Sequence, residues 1–147
     1  MNDVKTKETL STRALLSTLW IFVMLNLFAK DLHELGRPGM LQQIMTGVVN
    51  GVTITDELML LGGVMFEIPI LMVLLSLTLA YKANRWANIV AGVLTIMMEV
   101  HTNLDPDLDN AFFLVIKILA LLGIVWIAWR WKEGAKPPVA GNSRAAT

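Results

Sequence analysis

The chain has 147 residues and a formal net charge of zero, and 55% of its residues are hydrophobic while only 16% are charged. The charged share of a soluble domain is about 25%, and with a mean hydropathy of +0.60 the chain is predicted to be an integral membrane protein. The lack of cysteine excludes disulfides, thiolate metal sites and thiol chemistry, and the balanced charge predicts no nucleic-acid partner.

Four apolar stretches approach the roughly 20 residues that cross a bilayer. They lie at about 13–29, 58–81, 86–101 and 111–131. The fold class expected is therefore all-α, a four-helix transmembrane bundle over residues 13–131. We expect residues 1–12 to be a cytoplasmic segment that is disordered or surface-bound. The Pro- and Gly-rich residues 132–147 are expected to be a disordered cytoplasmic tail.

The first stretch resembles a signal sequence that is not removed. Lys5, Lys7 and Arg13 precede it, and no cleavage site of small residues follows before Lys30. These features predict an uncleaved signal anchor that stays in place as the first span.

The connection at 30–57 contains signals for one short helix. Residues 36–39, Gly-Arg-Pro-Gly, interrupt the chain, and apolar residues then recur at helical spacing over 40–49. Ten residues are too few to span a bilayer, so we expect a short amphipathic helix in the first outer loop. Thr55 is predicted to be the N-cap of the second span, followed by Asp56 and Glu57 in its first turn.

The second and third spans carry the acidic residues that lie within apolar sequence. Glu67 and Pro69 fall near the middle of the second span, and residues 81–85 predict a short antiparallel turn into the third. Polar and small residues recur along the third span at steps of three and four: Asn84, Asn88, Gly92, Thr95, Glu99 and Thr102. In lipid, such a stripe marks the face that packs against other helices, so Glu99 is expected to point inward.

The Lys and Arg residues are distributed unevenly between the predicted loops. Nine lie on one side: Lys5, Lys7, Arg13, Lys82, Arg85, Arg130, Lys132, Lys136 and Arg144. The opposite side has only Lys30 and Arg37. The positive-inside rule then predicts that both termini lie in the cytoplasm. Trp86, Trp129, Trp131 and Tyr81 are all expected to lie at the same cytoplasmic interface, as in an aromatic belt.

A polar cluster is predicted in the outer half of the bundle. At 1.5 Å per residue, Glu67 lies roughly 15 Å and Lys117 roughly 10 Å below the outer face. The cluster expected is Glu67, Lys117, Glu99, Asn26 and, at the mouth, His101. Because an isolated mid-bilayer charge costs at least ~2.5–3.5 kcal/mol, Lys117 is expected to pair with Glu67 or with Glu99. The cluster is either an outward-facing cavity for protons or a ligand, or a structural ion pair that holds the helices in register.

Two further patterns contain residue types that can bind metal ions. Asp105, Asp107 and Asp109 share the first spacing of a calcium loop, but Asn110 stands where that loop needs glycine. A solvated turn in which Asp109 caps the fourth span is the interpretation preferred. His33 and His101 lie near the outer face without being embedded in a span. No catalytic residue, metal site or cofactor is therefore predicted.

Three stretches of the chain resemble a known family. They are residues 16–26, 67–76 and 81–92, and together they are similar to a bacterial family of small four-helix membrane proteins of unknown function. The resemblance covers roughly residues 16–130 and implies that Glu67-x-Pro69 and Asn84-Arg85-Trp86-x-x-Asn88 belong to the identity of the fold. A looser similarity to DoxX-type four-helix membrane proteins concerns the fold alone.

These observations lead us to expect a small, non-enzymatic inner-membrane protein. It would act as an accessory or binding subunit, either as a homo-oligomer or within a larger membrane complex. One alternative is a proton-coupled small-solute transporter or channel that uses Glu67, Glu99 and Lys117. A further alternative is a membrane enzyme in which Glu99 and His101 carry out acid–base chemistry.

Overall fold

The computed structural model describes residues 2–103 and 107–132, with side chains from residue 11 onward. The elements in chain order are α1 (Asn2–Leu35), α2 (Met40–Thr46), β1 (Val48–Val49), β2 (Val52–Thr53), α3 (Asp56–Thr78), α4 (Tyr81–Thr102) and α5 (Leu108–Arg130). The all-α class is therefore confirmed. In addition, two strands of two residues each form a small antiparallel hairpin between α2 and α3. The predicted disordered tail lies outside the described residues from residue 133.

Three of the long helices are suited to cross a membrane. By length and composition these are Ser11–Leu35 within α1, Asp56–Thr78 and Leu108–Arg130, which indicates a membrane-spanning protein. α4 has 22 residues and is long enough, but its polar stripe and two basic residues make it less apolar than the others. The fourth span therefore remains a prediction.

The four long helices form a bundle in which each packs against two others. α1 contacts α3 and α5, and α4 contacts the same two helices. The diagonal between α1 and α4 is bridged by Trp20, whose Nε1–H donates to Asn88 Oδ1 at 2.7 Å. We call the end that contains Arg13, the α3–α4 turn and Trp131 the termini end, and the end that contains Arg37 and Asp107 the loop end.

A short row of large apolar side chains fills the centre of the bundle. Leu16, Trp20 and Val23 of α1 meet Leu121 and Ile124 of α5, and all five are fully buried. Most other large apolar residues face outward, as expected for a bundle whose surroundings are lipid.

Close contact between α4 and α5 depends on one glycine. A Cβ at Gly92 would lie 2.7 Å from Val125 Cγ2, closer than side-chain atoms pack. Gly92 thus allows the backbone of α4 to approach α5, which agrees with its place in the polar and small stripe. Gly62 and Gly63 differ, because nothing lies within 4 Å of a Cβ built at either position.

Several boundaries differ from those predicted. α1 is already helical from Asn2, so the segment expected to be disordered extends the first helix. The turn between α3 and α4 is shorter than predicted, since α3 ends at Thr78 and α4 begins at Tyr81. Thr55 is confirmed as the N-cap of α3, with its hydroxyl accepting from Leu58 N–H at 3.2 Å.

The short outer helix ends three residues earlier than predicted. Gly47 stops α2 with a φ of 74°, and the chain turns back at Asn50 (φ 51°) and Gly51 (φ 79°). Positive φ at both central residues is the geometry of a two-residue hairpin turn, for which Asn-Gly is the preferred sequence. Val49 consequently pairs with Val52 in a strand instead of continuing the helix.

Candidate functional site

Lys117 and Glu99 form a buried ion pair between α5 and α4. Lys117 Nζ donates a hydrogen bond to Glu99 Oε2, and the side chains are 1% and 11% exposed. The pair lies at the loop end of the polar stripe of α4, about one turn before that helix ends. Of the two partners that the sequence left open for Lys117, the structure selects Glu99.

One further charged residue, Asp31 near the end of α1, interacts electrostatically with both Lys117 and Glu99. Its own side chain is exposed and forms neither a hydrogen bond nor an ion pair with either of them.

Arg37 ties the first outer connection to the start of α5. Its guanidinium donates to Asp107 Oδ2 at 2.7 Å and to both Asp109 oxygens at 2.8 and 2.7 Å. These hydrogen bonds, first that to Asp109 and then that to Asp107, raise the pKa of Arg37 above its already high ordinary value. His33 Nε2 lies 3.2 Å from Asp109 Oδ2, so the same carboxylate also contacts α1.

Asp109 is not the N-cap of α5 as predicted. The helix begins at Leu108, three residues before the predicted start at residue 111, so the N-cap residue is Asp107, which makes no side-chain cap hydrogen bond, and Asp109 lies in the first turn. The possible calcium loop also includes residue 105, which lies outside the described residues. Within the described ranges, no group of three or more His, Asp or Glu is placed to hold a metal ion.

Glu67 lies on the outside of the bundle, contrary to the expected inward position. It is exposed, and the described residues supply it with no hydrogen bond or ion pair. The buried face of α3 is formed by Pro69, Met72 and Ser76. Because each residue advances about 100° around a helix, Glu67 lies about 200° from Pro69 and faces outward. Because α3 is apolar on all sides, its sequence pattern does not indicate which side of the helix packs against the bundle.

The other two predicted cluster members also lie apart from the ion pair. Asn26 is half-buried and donates from Nδ2 to Phe22 O of its own helix at 2.9 Å. His101 is exposed at the end of α4. The structure therefore brings together Glu99 and Lys117 and leaves Glu67, Asn26 and His101 outside this contact.

A second polar network, which the sequence did not single out as a site, lies nearer the termini end. Asn88 Oδ1 accepts from Trp20 Nε1 at 2.7 Å and from Ser76 Oγ at 3.1 Å. Asn88 Nδ2 donates to Asn84 Oδ1 at 2.7 Å, and Asn84 Nδ2 donates to Ser76 O at 2.6 Å. The four side chains are fully buried. The stripe of α4 predicts that Asn84 and Asn88 face inward. No sequence pattern predicts that Trp20 hydrogen-bonds to Asn88.

In both networks the buried polar side chains are paired with one another. The Asn88 network satisfies its buried donors and acceptors internally, as stable buried polar groups require. Lys117 and Glu99 supply each other's counter-charge inside the bundle. These are the features of groups that hold helices together.

Comparison with known proteins adds a family but no activity. No curated protein and no solved structure matches the chain. A family model matches residues 5–136, nearly the whole chain, and the protein therefore belongs to the family of unknown function DUF6326.

Proposed function

We propose that this protein is a non-enzymatic accessory or binding subunit of the bacterial inner membrane. All four long helices cross the bilayer in this proposal, with both termini in the cytoplasm. The subunit assembles through the exposed face of α3 with a second copy of the chain. The single observation that carries the proposal is the position of Glu67.

Glu67 is an unpartnered acid at the middle of a membrane helix. It is the twelfth of the 23 residues of α3, so it lies about 16 Å from the start of the helix. A carboxylate facing hydrocarbon at that depth costs at least ~2.5–3.5 kcal/mol. Such residues normally face a protein interior or a water-filled cavity, and contact with another helix supplies that environment.

The residues around Glu67 form a face suited to helix packing. Exposed apolar residues precede and follow it at steps of four, three, four and three. They are Leu60 (70% exposed), Val64 (56%), Leu71 (46%) and Leu74 (61%). This spacing is the seam along which two helices pack at a small crossing angle. We call Leu60, Val64, Glu67, Leu71 and Leu74 the α3 seam.

Two features favour a second copy as the occupant. Gly63 lies one turn before Glu67 with open space where a Cβ would be, and small residues allow membrane helices to approach closely. α3 contains no Lys, Arg or His, so a symmetric contact brings two carboxyl groups together. Sharing or retaining protons lets the two groups hydrogen-bond to each other. Symmetric dimers are also the commonest oligomers.

A second candidate function is a proton-coupled small-solute transporter. It is favoured by Asp31, a titratable group near the end of α1 that interacts electrostatically with both Lys117 and Glu99. The enzyme alternative is not proposed, because Glu99 is occupied by Lys117 and His101 is exposed.

Cysteine cross-linking in native membranes tests the proposed assembly. The chain has no cysteine, so Val64→Cys and Leu71→Cys each introduce a single thiol on the α3 seam. Leu119→Cys is the matched control, because Leu119 is 64% exposed on α5. We expect oxidation to give a disulfide-linked dimer for the seam variants and not for the control. Cross-links only to other proteins, or equal dimer from Leu119→Cys, would contradict assembly through α3.

A further inference from the structure

A groove of about 800 Å³ opens at the termini end of the bundle. It is lined by Tyr81, Arg85, Trp129, Arg130, Trp131 and Lys132. Three of these side chains are cationic, three are aromatic, and none is acidic. The composition is that of a site for an anionic group with an apolar body beside it.

The aromatic wall of the groove is held in place by contacts between α4 and the end of α5. Tyr81 Oη donates to Trp131 O at 2.6 Å, and the two rings meet edge to face with centroids 5.1 Å apart. Trp131 is 7% exposed. Because the wall is already ordered, a ligand would lose little free energy in organising it.

The cations lining the groove retain unused hydrogen-bonding capacity. Arg85 donates to Trp129 O at 2.9 Å, which satisfies a carbonyl at the end of α5, while its buried Nε–H has no hydrogen-bond partner among the described residues. Arg130 stacks over Trp126 with its guanidinium carbon 4.4 Å from the ring centroid. Within the described chain, Arg85, Arg130 and Lys132 form no ion pair.

We propose that this groove binds the phosphate of an anionic phospholipid headgroup. Guanidinium and ammonium groups bind phosphate oxygens, and Trp and Tyr are favoured at the level of the headgroups. A lipid is favoured over free phosphate because the groove lies where the apolar helix α5 ends, so bound acyl chains would lie along the exposed face of that helix. The proposal rests on membrane insertion alone and not on assembly through α3.

Binding can be measured with the full-length chain in a neutral maltoside detergent. Intrinsic tryptophan fluorescence, to which Trp129 and Trp131 contribute two of the five tryptophans of the chain, is followed during titration with dioctanoyl phosphatidylglycerol, dioctanoyl phosphatidylcholine or inorganic phosphate. The test variant is Arg130→Gln/Lys132→Gln, both of whose residues are exposed. The control Lys82→Gln removes an exposed cation that does not line the groove. Circular dichroism checks that each variant keeps its helix content.

We expect saturable binding of phosphatidylglycerol, with a Kd at least about tenfold higher in the double variant, since each interfacial cation contributes about 1 kcal/mol. Lys82→Gln and the charge-conserving Arg130→Lys/Lys132→Arg should bind as the wild type does. Phosphatidylcholine and inorganic phosphate should bind much more weakly. Equal binding of inorganic phosphate, or an equal loss in Lys82→Gln, would overturn the proposal of a headgroup site.

Discussion

Lys117 of α5 donates a hydrogen bond to Glu99 of α4 in the interior of the bundle. Both side chains are nearly inaccessible to solvent, and each is the counter-charge of the other. Removing one partner of a buried ion pair is far more costly than replacing both. The contact therefore predicts a specific pattern of stabilities.

Lys117→Met and Glu99→Gln should each lower the free energy of unfolding by about 3–5 kcal/mol, because each leaves one charge buried alone. The double variant Lys117→Met/Glu99→Gln should recover most of that loss. Unfolding in mixed detergent micelles, followed by circular dichroism, measures the three differences. If the double variant loses the sum of the two single losses, the pair does not stabilise the bundle in the way described.

Asn88 should be more important to stability than any one of its partners. Asn88→Leu leaves the buried Trp20 Nε1–H and Ser76 hydroxyl without their acceptor, and each buried unsatisfied group costs about 1–3 kcal/mol. The matched variant Trp20→Phe removes one donor and leaves Asn88 its bond from Ser76. We expect Asn88→Leu to be the less stable of the two in the same unfolding assay. The reverse order would mean that packing of the Trp20 ring, and not hydrogen bonding, stabilises the α1–α4 diagonal.

Gly92→Ala should force α4 and α5 apart. The added Cβ would lie 2.7 Å from Val125 Cγ2, and such overpacking costs about 1–3 kcal/mol. Val125→Ala removes the clashing methyl group and should restore stability to Gly92→Ala. Gly123→Ala is the control, because nothing lies within 4 Å of its Cβ position. A Gly92→Ala variant as stable as Gly123→Ala would contradict the close α4–α5 contact.

Arg37→Gln should loosen the outer connection while leaving the bundle folded. The guanidinium joins residue 37 to Asp107 and Asp109 at the start of α5, and these partly exposed contacts lie outside the core. Hydrogen exchange measured by mass spectrometry should show faster exchange over residues 36–55 and unchanged exchange in α4. Exchange that is unchanged in the connection would show that α2 and the hairpin are held by other contacts.

The sequence predicted the helices better than the orientation of their faces. In α4 a stripe of polar and small residues interrupts apolar sequence, so the inward direction of Asn88, Gly92 and Glu99 followed from spacing alone. α3 offers no such contrast between polar and apolar positions. Glu67 is predicted to face the interior only because an acid within the membrane needs a partner. The structure shows instead that Pro69 and Ser76 take the inner face of that helix.

The contacts between Arg37 and the start of α5 could not be predicted from sequence patterns for a different reason. Arg37 and Asp109 are separated by 72 positions, and no local periodicity relates them. The hairpin, in contrast, carried a local signal. Asn50-Gly51 between apolar residues favours a two-residue turn. The helix predicted over 40–49 nevertheless includes the first strand of the hairpin, Val48–Val49.

Glu67 is proposed to stabilise the association of two copies of the chain through the α3 seam. Förster transfer between labelled copies reconstituted in phospholipid vesicles, measured as the chain is diluted in lipid, tests it most directly. We predict concentration-dependent dimerisation that Glu67→Gln retains, because its amide also hydrogen-bonds across the contact. Glu67→Leu should weaken dimerisation about five- to thirtyfold, the equivalent of 1–2 kcal/mol for a polar contact between membrane helices. A wild-type chain that stays monomeric at every dilution, or equal association of Glu67→Leu and wild type, would contradict the account.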